Sequence, residues 1–225
     1  MNIKGFYIAM WVLLALQMLA YSRCKLRGKD VMYTLTKVAG GVIFTVTALA
    51  SAVMQKPDGY SWLIIAAMFL SVLGDYYLAQ PPGKHRLKLG AASFVCAHCF
   101  FMAGFISLAG MHWQTVVAFA IVYGLLIAGG YAIKLNCRGA GKGVALYIAF
   151  VTFMACCACS LPFFADMPRG ATVMTSCGGA LFLVSDIFWV MYGLDKNAPN
   201  KAFKIANIFT YFPAQLLIAG ALLFR

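Results

Sequence analysis

Residues 60–79 read YSWLIIAAMFLSVLGDYYLA, a run of twenty residues in which Asp75 is the only charged side chain. An α-helix rises 1.5 Å per residue, so twenty residues cross the roughly 30 Å hydrocarbon core of a bilayer. Turn sequences flank the run, Pro57-Asp58-Gly59 before it and Pro81-Pro82-Gly83 after it. The stretch therefore predicts a membrane-spanning helix that carries one carboxyl group inside the apolar layer.

The remainder of the chain has the same apolar character. Of its 225 residues, 63% are apolar and 11% are charged, and the mean hydropathy is +0.85. Soluble domains average roughly 45–50% apolar and about 25% charged residues, so a soluble globular domain and a disordered chain are both excluded. The formal charge of +12 would also suit a nucleic-acid-binding protein. In so apolar a chain, basic loops at a membrane surface explain the charge better, and we expect no nucleic-acid partner.

Seven further apolar runs resemble the first. The eight predicted spans are 3–22, 32–54, 60–79, 88–110, 113–134, 143–161, 171–191 and 204–224. They leave only short connections, so residues 1–225 are predicted to form a single all-α, polytopic membrane bundle. Span 1 is expected to be a retained helix, because a signal peptide carries its positive charge before the apolar run and here the charge follows it.

The basic residues alternate between the two sides of the predicted bundle. The connections after spans 1, 3, 5 and 7 hold thirteen of the 18 Lys and Arg: Arg23, Lys25, Arg27, Lys29, Lys84, Arg86, Lys88, Lys134, Arg138, Lys142, Lys196, Lys201 and Lys204. The opposite side holds Lys4, Lys56, Arg169 and Arg225, and Lys37 lies within span 2. Cytoplasmic loops are enriched in Lys and Arg, so both termini are predicted to face outward, in the inner membrane if the source is bacterial.

Four ionisable residues fall inside the spans: Lys37, Asp75, His98 and Asp186. Such groups are costly in a bilayer, by roughly 2.5–3.5 kcal/mol each on insertion scales, and they mark functional sites. Counted along their helices, they gather in the cytoplasmic half, together with Tyr147, Asn207, Tyr211 and Gln215. A water-filled cavity between the helices explains this shared depth.

Each residue alone also has a purely structural interpretation. Lys37 would snorkel to the interface or form a structural ion pair with Asp75. His98 would be a core histidine bonded to a carbonyl, and the tyrosines would belong to an interfacial belt. The joint placement favours the cavity over these separate explanations.

The two aspartates suggest an internal duplication. Asp75 and Asp186 lie 111 residues apart, and this shift superimposes spans 1–4 on spans 5–8 in the same orientation. A possible 4+4 parallel repeat would place the two carboxyl groups opposite each other across an axis along the membrane normal.

Motifs in six spans resemble those of the lysoplasmalogenase (YhhN-like) family of integral membrane proteins. They are Thr36-Lys37, Ser71-x2-Gly74-Asp75-x2-Leu78, Gly90-x3-Phe94-x3-His98, Leu146-Tyr147, Gly179-Ala-Leu-Phe182-x2-Ser185-Asp186 and Thr210-Tyr211-x3-Gln215-x2-Ile218. Val38 and Phe101 stand where the family has Pro and Tyr. The order, spacing and helix placement of the motifs carry the resemblance across nearly the whole chain.

The resemblance implies cleavage of the vinyl ether bond of lysoplasmenylethanolamine or lysoplasmenylcholine, releasing a fatty aldehyde. Asp75 and Asp186 would be the catalytic acid and base, with Asp75 the favoured anion because of Lys37. The remaining candidates would support or bind substrate: Lys37, Ser71, His98, Tyr147, Ser185, Asn207, Tyr211 and Gln215. We expect no cofactor and no metal; the eight Cys show no zinc-type spacing with His. Membrane lipids are expected to surround the protein, and the sequence does not indicate its oligomeric state.

Three other functions stay open at this point. Buried Asp and Lys in a parallel-repeat bundle also suit a proton-coupled transporter of a small molecule or lipid. A non-catalytic lipid-binding protein would tolerate replacement of both aspartates. A metal-dependent lipid hydrolase would be expected to carry several intramembrane His, whereas this chain has one.

The charge asymmetry predicts the orientation of the chain. A reporter fused after Arg225 should read as external, and one inserted in the 136–142 connection should read as cytoplasmic. Accessibility of the two reporters in intact cells measures this, and a C-terminus inside the cell would contradict the predicted span count.

Overall fold

A computed structural model describes residues 2–27, 31–81, 83–137, 140–194 and 201–225. These residues form eight α-helices, which confirms the predicted all-α fold of eight spans. Their bounds are α1 Ile3–Arg27, α2 Val31–Gln55, α3 Gly59–Ala79, α4 Lys84–Ala109, α5 Trp113–Ala132, α6 Gly141–Phe164, α7 Arg169–Gly193 and α8 Lys201–Ala221. Each is long and apolar enough to cross a membrane, so the protein is an integral, multi-pass membrane protein.

Several helices extend beyond the predicted spans. Helix α1 continues past residue 22 to Arg27, α4 begins at Lys84 instead of residue 88, and α6 runs through Pro162 to Phe164. Hydropathy locates the edge of the apolar layer, whereas a helix ends where its hydrogen-bond ladder ends, so basic residues that favour helix extend it into the interface. Of the basic residues assigned to connections, Lys29, Arg138 and Lys196 lie outside the described residues.

The two halves of the chain pack in the same pattern. In the first half α1 packs on α2, α2 on α3 and α3 on α4; in the second half α5 packs on α6, α6 on α7 and α7 on α8. The halves meet where α1 and α2 pack on α8 and where α4 packs on α6. Exchanging the halves converts the α2–α8 contact into the α4–α6 contact, as a 4+4 parallel repeat would, whereas the α1–α8 contact has no counterpart of similar extent between α4 and α5 in the described structure.

Glycines allow the closest helix pairs to form. A Cβ atom on Gly74 of α3 would lie 2.7 Å from the Phe94 ring of α4. In the second half, a Cβ on Gly178 of α7 would lie 2.8 Å from the Ala214 carbonyl oxygen of α8. Helices in lipid associate mainly through such close packing of small residues. In each half, a close helix contact therefore involves the helix that carries Asp75 or Asp186.

Helix α5 is held most loosely. Thr115 is its one buried residue in the described part of the chain, whereas α1, its counterpart, packs on both α2 and α8. A lipid-facing groove of about 560 Å³ separates α5 from α6 and α7, and apolar side chains such as Leu126, Ile148 and Val190 line it.

Both chain termini lie at one end of the bundle, here called the terminal end. Arg225 pairs with Asp58, just before α3, and its guanidinium stacks on Tyr60 with the ring centre 5.0 Å away. Arg225 holds the pKa of the Asp58 carboxyl well below its usual range. Asp58 also caps α3, because its carboxylate accepts a hydrogen bond from the Ser61 amide at 2.9 Å. The opposite end, where α1, α3, α5 and α7 end and α2, α4, α6 and α8 begin, is called the basic end.

Candidate active site

Two carboxyl groups lie inside the bundle near its basic end. Asp75 lies four residues before the end of α3, and Asp186 lies seven residues before the end of α7. Their exposed fractions are 1% and 6%. Both line one small cavity of about 20 Å³, together with Lys37, Leu78, Phe94, Tyr147, Trp189, Asn207 and Tyr211. A cavity of this volume has room for about one water molecule.

Asp75 is paired through both of its oxygens. The Lys37 ammonium from α2 lies 2.8 Å from Oδ1, and the Tyr211 hydroxyl from α8 donates a 2.8 Å hydrogen bond to Oδ2. The Gln215 amide donates in turn to the Tyr211 hydroxyl at 3.4 Å. Lys37 therefore turns into the bundle instead of snorkelling to the interface. A lysine ion pair and a tyrosine hydrogen bond both stabilise the ionised form of this carboxyl group.

Asp186 has different partners. The Tyr147 hydroxyl from α6 donates a 2.7 Å hydrogen bond to Oδ2, and Nε2 of His98 from α4 lies 3.6 Å from the same oxygen. Within the described ranges no Lys or Arg forms an ion pair with Asp186. The two carboxyl groups of the cavity are thus chemically distinct, since one has a permanent cation in contact and the other does not.

His98 is a buried imidazole without a hydrogen bond. Its exposed fraction is 0%, and neither ring nitrogen has a hydrogen-bond partner among the residues that the structure describes. The ring packs against the Phe182 ring with 5.1 Å between centroids. An unpaired buried polar group costs about 1–3 kcal/mol.

The two halves contribute equivalent positions to the site. Lys37 of α2 and Tyr147 of α6 each contact the carboxyl group of the following helix. Tyr211 of α8 and His98 of α4 each reach the carboxyl group of the other half. The two sets of contacts differ in chemistry, because a lysine contacts Asp75 where a tyrosine contacts Asp186.

A second polar layer lies between the cavity and the basic end. The Asn207 amide nitrogen donates to the carbonyl oxygen and hydroxyl of Ser185 at 3.1 and 2.9 Å. The Asn207 oxygen accepts from the Lys25 ammonium at 2.9 Å and from the Tyr192 hydroxyl at 3.2 Å. Asn207 therefore joins the cavity to a buried lysine.

Lys25 differs from the prediction that it is a loop cation. It lies in the last turn of α1 with an exposed fraction of 8%. Tyr21 precedes it by one helical turn, and the Tyr21 ring lies 5.4 Å from its ammonium. This tyrosine–lysine spacing of four residues is the signal that could have placed Lys25 inside the bundle. The sequence also did not indicate that Tyr192 and Trp189 belong to the site, because both are aromatic residues near the end of a predicted span.

Ser71 does not join the polar network in the structure. Its hydroxyl donates to the Ala67 carbonyl oxygen of its own helix at 2.9 Å, one turn from Asp75. Among the described residues, no group of three His, Cys, Asp or Glu side chains could hold a metal ion. All eight cysteines are free thiols.

The fold and the site together define a polytopic membrane protein with two buried carboxyl groups inside its helix bundle. The family model described as the YhhN family matches residues 32–222, and the chain belongs to this family. This confirms the resemblance seen in the motifs.

Two curated relatives carry the name lysoplasmalogenase. They come from Mycobacterium bovis (strain ATCC BAA-935 / AF2122/97) and Mycobacterium tuberculosis (strain CDC 1551 / Oshkosh), and each is 27% identical over 184 residues. The matched segment covers 78% of this chain and 66% of each relative, so the chain spans about two thirds of their length. No solved structure matches the chain.

The Lys37–Asp75 contact predicts an unequal response to loss of the two charges. Asp75→Asn should lower the free energy of unfolding by about 3–5 kcal/mol, because it strands the buried Lys37 ammonium. Asp186→Asn should cost clearly less, because it strands no lysine. The double variant Lys37→Met/Asp75→Asn should regain most of the loss. Thermal unfolding midpoints in detergent measure all three, and equal midpoints for the two single Asn variants would contradict the pairing.

Proposed function

We propose that the protein is a lysoplasmalogenase that hydrolyses the vinyl ether bond of lysoplasmenylethanolamine or lysoplasmenylcholine. The products would be a fatty aldehyde and glycerophosphoethanolamine or glycerophosphocholine. The names of the two mycobacterial relatives support this assignment. The observation that carries it is the pair of buried carboxyl groups in one cavity, one with a lysine in contact and one without.

Vinyl ether hydrolysis needs a strong acid inside the membrane. A proton must add to the alkenyl carbon that is not bonded to oxygen. This leaves an oxocarbenium ion at the other alkenyl carbon, which is attached to the ether oxygen. Burial favours the protonated form of a carboxyl group, and a nearby second carboxylate favours it further. Asp186, whose Oδ2 oxygen has Tyr147 and His98 beside it and no lysine or arginine ion pair among the described residues, suits this role. We assign it as the proton donor.

Asp75 suits the complementary role. Its ion pair with Lys37 and its hydrogen bond from Tyr211 hold it as a carboxylate. A fixed anion stabilises the developing oxocarbenium cation and can take a proton from the attacking water. The cavity between the two groups has the volume for that water. Paired carboxyl groups around an oxocarbenium-like transition state are also the arrangement of glycosidases.

The protons balance over the cycle. Asp186 gives its proton to the alkenyl carbon, and the water that adds to the cation gives a proton to Asp75. The resulting hemiacetal then collapses. Its hydroxyl proton returns to Asp186, the carbon–oxygen bond to glycerol breaks, and Asp75 gives its proton to the departing glycerol oxygen. Both residues end as they began, and no cofactor or metal enters the proposed cycle.

The supporting residues have defined tasks in this proposal. Gln215 and Tyr211 hold the Asp75 carboxylate, Tyr147 orients the Asp186 carboxyl, and Ser185 fixes Asn207 at the cavity wall. His98 gains a hydrogen bond when water or the glycerol portion of the substrate enters. Ser71 contributes packing beside Asp75. In this proposal the basic end faces the cytoplasm, and the excess of Lys and Arg in the connections at that end supports this orientation.

The proposal is tested with purified protein and three lysophospholipids that differ only in the bond at the first glycerol carbon. The vinyl ether should be cleaved to aldehyde. The saturated alkyl ether should bind but remain intact, because protonation of an alkyl ether gives no resonance-stabilised cation. The ester should also survive, since neither ring nitrogen of His98 is hydrogen-bonded to a serine in the described structure. Ester cleavage at a comparable rate, or transport of solute without hydrolysis in proteoliposomes, would overturn the proposal.

The same assay distinguishes the loss of a catalytic aspartate from the loss of any other acidic residue. Asp186→Asn and the double variant Lys37→Met/Asp75→Asn should each lose about 10²–10⁴-fold in turnover, the usual contribution of a general acid or base. The double variant is used because it retains no stranded lysine. Asp166→Asn is the matched control, since Asp166 is exposed on the connection between α6 and α7, and it should keep full activity. Near-normal turnover in either site variant would exclude the two-carboxylate mechanism.

A further inference from the structure

Trp189 is a cavity-lining residue that the proposed reaction does not use. It lies in α7, three residues after Asp186 and four before the end of the helix. Residues three apart lie on the same face of a helix, and both side chains line the small cavity. The centroid of the Trp189 ring lies 6.1 Å from that of the Tyr147 ring, with 52° between the two planes. Trp189 therefore belongs to the wall beside the carboxyl group assigned as the proton donor.

The wall of the cavity is largely aromatic. Four of its nine lining residues are Phe94, Tyr147, Trp189 and Tyr211. The two tyrosines direct their hydroxyl groups to the carboxyl oxygens. The Phe94 ring packs against the Tyr211 ring with 6.1 Å between centroids. In the part of the chain that the structure describes, the one ring contact of Trp189 is with Tyr147. Its indole is thus neither bonded to a carboxyl group nor enclosed in the aromatic packing around Tyr211.

The proposed reaction creates a positive charge in this space. Proton transfer from Asp186 leaves an oxocarbenium ion beside the two carboxyl groups. The cavity has the volume of about one water molecule, so a reacting carbon inside it would contact the walls. Both oxygens of Asp75 already have partners, the Lys37 ammonium and the Tyr211 hydroxyl. The face of an aromatic ring attracts a cation without a hydrogen bond, and tryptophan does so most strongly of the aromatic side chains.

We propose that Trp189 is a catalytic residue that stabilises the oxocarbenium ion through the face of its indole ring. This role rests on the proposed function and adds a residue to its transition state. The vinyl ether is neutral before protonation, and the aldehyde is neutral after release. The attraction between the ring and the positive charge therefore exists only between these two states. An interaction that is stronger in the transition state than in the ground state raises kcat instead of tightening substrate binding.

The first test measures binding, so that it does not depend on turnover. Two analogues of the lysophosphoethanolamine substrate carry the same saturated chain. One has an alkyl ether oxygen, and the other has a secondary amine at that place, which is protonated at neutral pH like other aliphatic amines. Trp189→Leu should lower the affinity for the ammonium probe, relative to that for the ether probe, by about ten-fold, as expected for a cation–π contact away from water. The neutral ether probe reports any change in packing.

The second test measures turnover of the vinyl ether substrate and keeps the shape of the side chain. Protein made with mono-, di- and trifluorinated tryptophan has ring faces of decreasing negative charge. The kcat should fall with each added fluorine, whereas KM should stay nearly constant. Trp189→Phe made with the same amino acids is the matched control, because it retains fluorinated Trp11, Trp62 and Trp113. Its kcat should not depend on fluorination. This series also tests the proposal if Trp189→Leu unfolds.

The outcomes separate the role of Trp189 from the proposed reaction. An unchanged ratio of the two affinities in a folded Trp189→Leu variant would overturn this role and leave the two-carboxylate mechanism standing. A kcat that is independent of fluorination would do the same, and so would an equal dependence in Trp189→Phe. Failure of the unmodified protein to cleave the vinyl ether would overturn the proposed function, even if the preference for the ammonium probe depended on Trp189.

Discussion

The 2.8 Å contact between the Lys37 ammonium and the Asp75 carboxylate is the interaction on which the asymmetry of the site depends. Inside a bilayer an isolated charge of either sign is costly, so the two side chains stabilise each other only as a pair. Tyr147 holds the corresponding place beside Asp186 and carries no charge. One lysine therefore makes two similarly placed carboxyl groups unequal, and acid–base chemistry needs unequal partners.

Both halves of the chain contribute to the site. Each half supplies one aspartate and one side chain that reaches the aspartate of the other half, so the site exists only where the halves meet. Aromatic rings fill the space between them: Phe182 and Tyr211 pack edge to face at 5.5 Å, and Phe94 contacts both rings. Phe94 and Tyr211 of this aromatic group also line the cavity.

Much of this arrangement was predictable from sequence, for physical reasons. The bilayer fixes the length of each span, and helix geometry converts residue number into depth, so the shared depth of Asp75, Asp186 and Lys37 could be read directly. Sequence spacing does not fix helix rotation or the contacts between distant helices. It could not show that Tyr211 contacts Asp75 while Tyr147 contacts Asp186. Lys25 was missed because hydropathy ended span 1 at residue 22, whereas the helix continues and turns the lysine inward.

The central claim is that a carboxylic acid of the protein protonates the alkenyl carbon, and the fate of that proton tests it most directly. The reaction is run in heavy water with lysoplasmenylethanolamine, and the aldehyde is reduced to the alcohol as it forms, so that later exchange is suppressed. Mass spectrometry then locates deuterium in the product. The account predicts one deuterium at the second carbon of the chain in every product molecule, formed at a rate lower than in ordinary water. A product without deuterium at that carbon, formed at the same rate in both solvents, would contradict it.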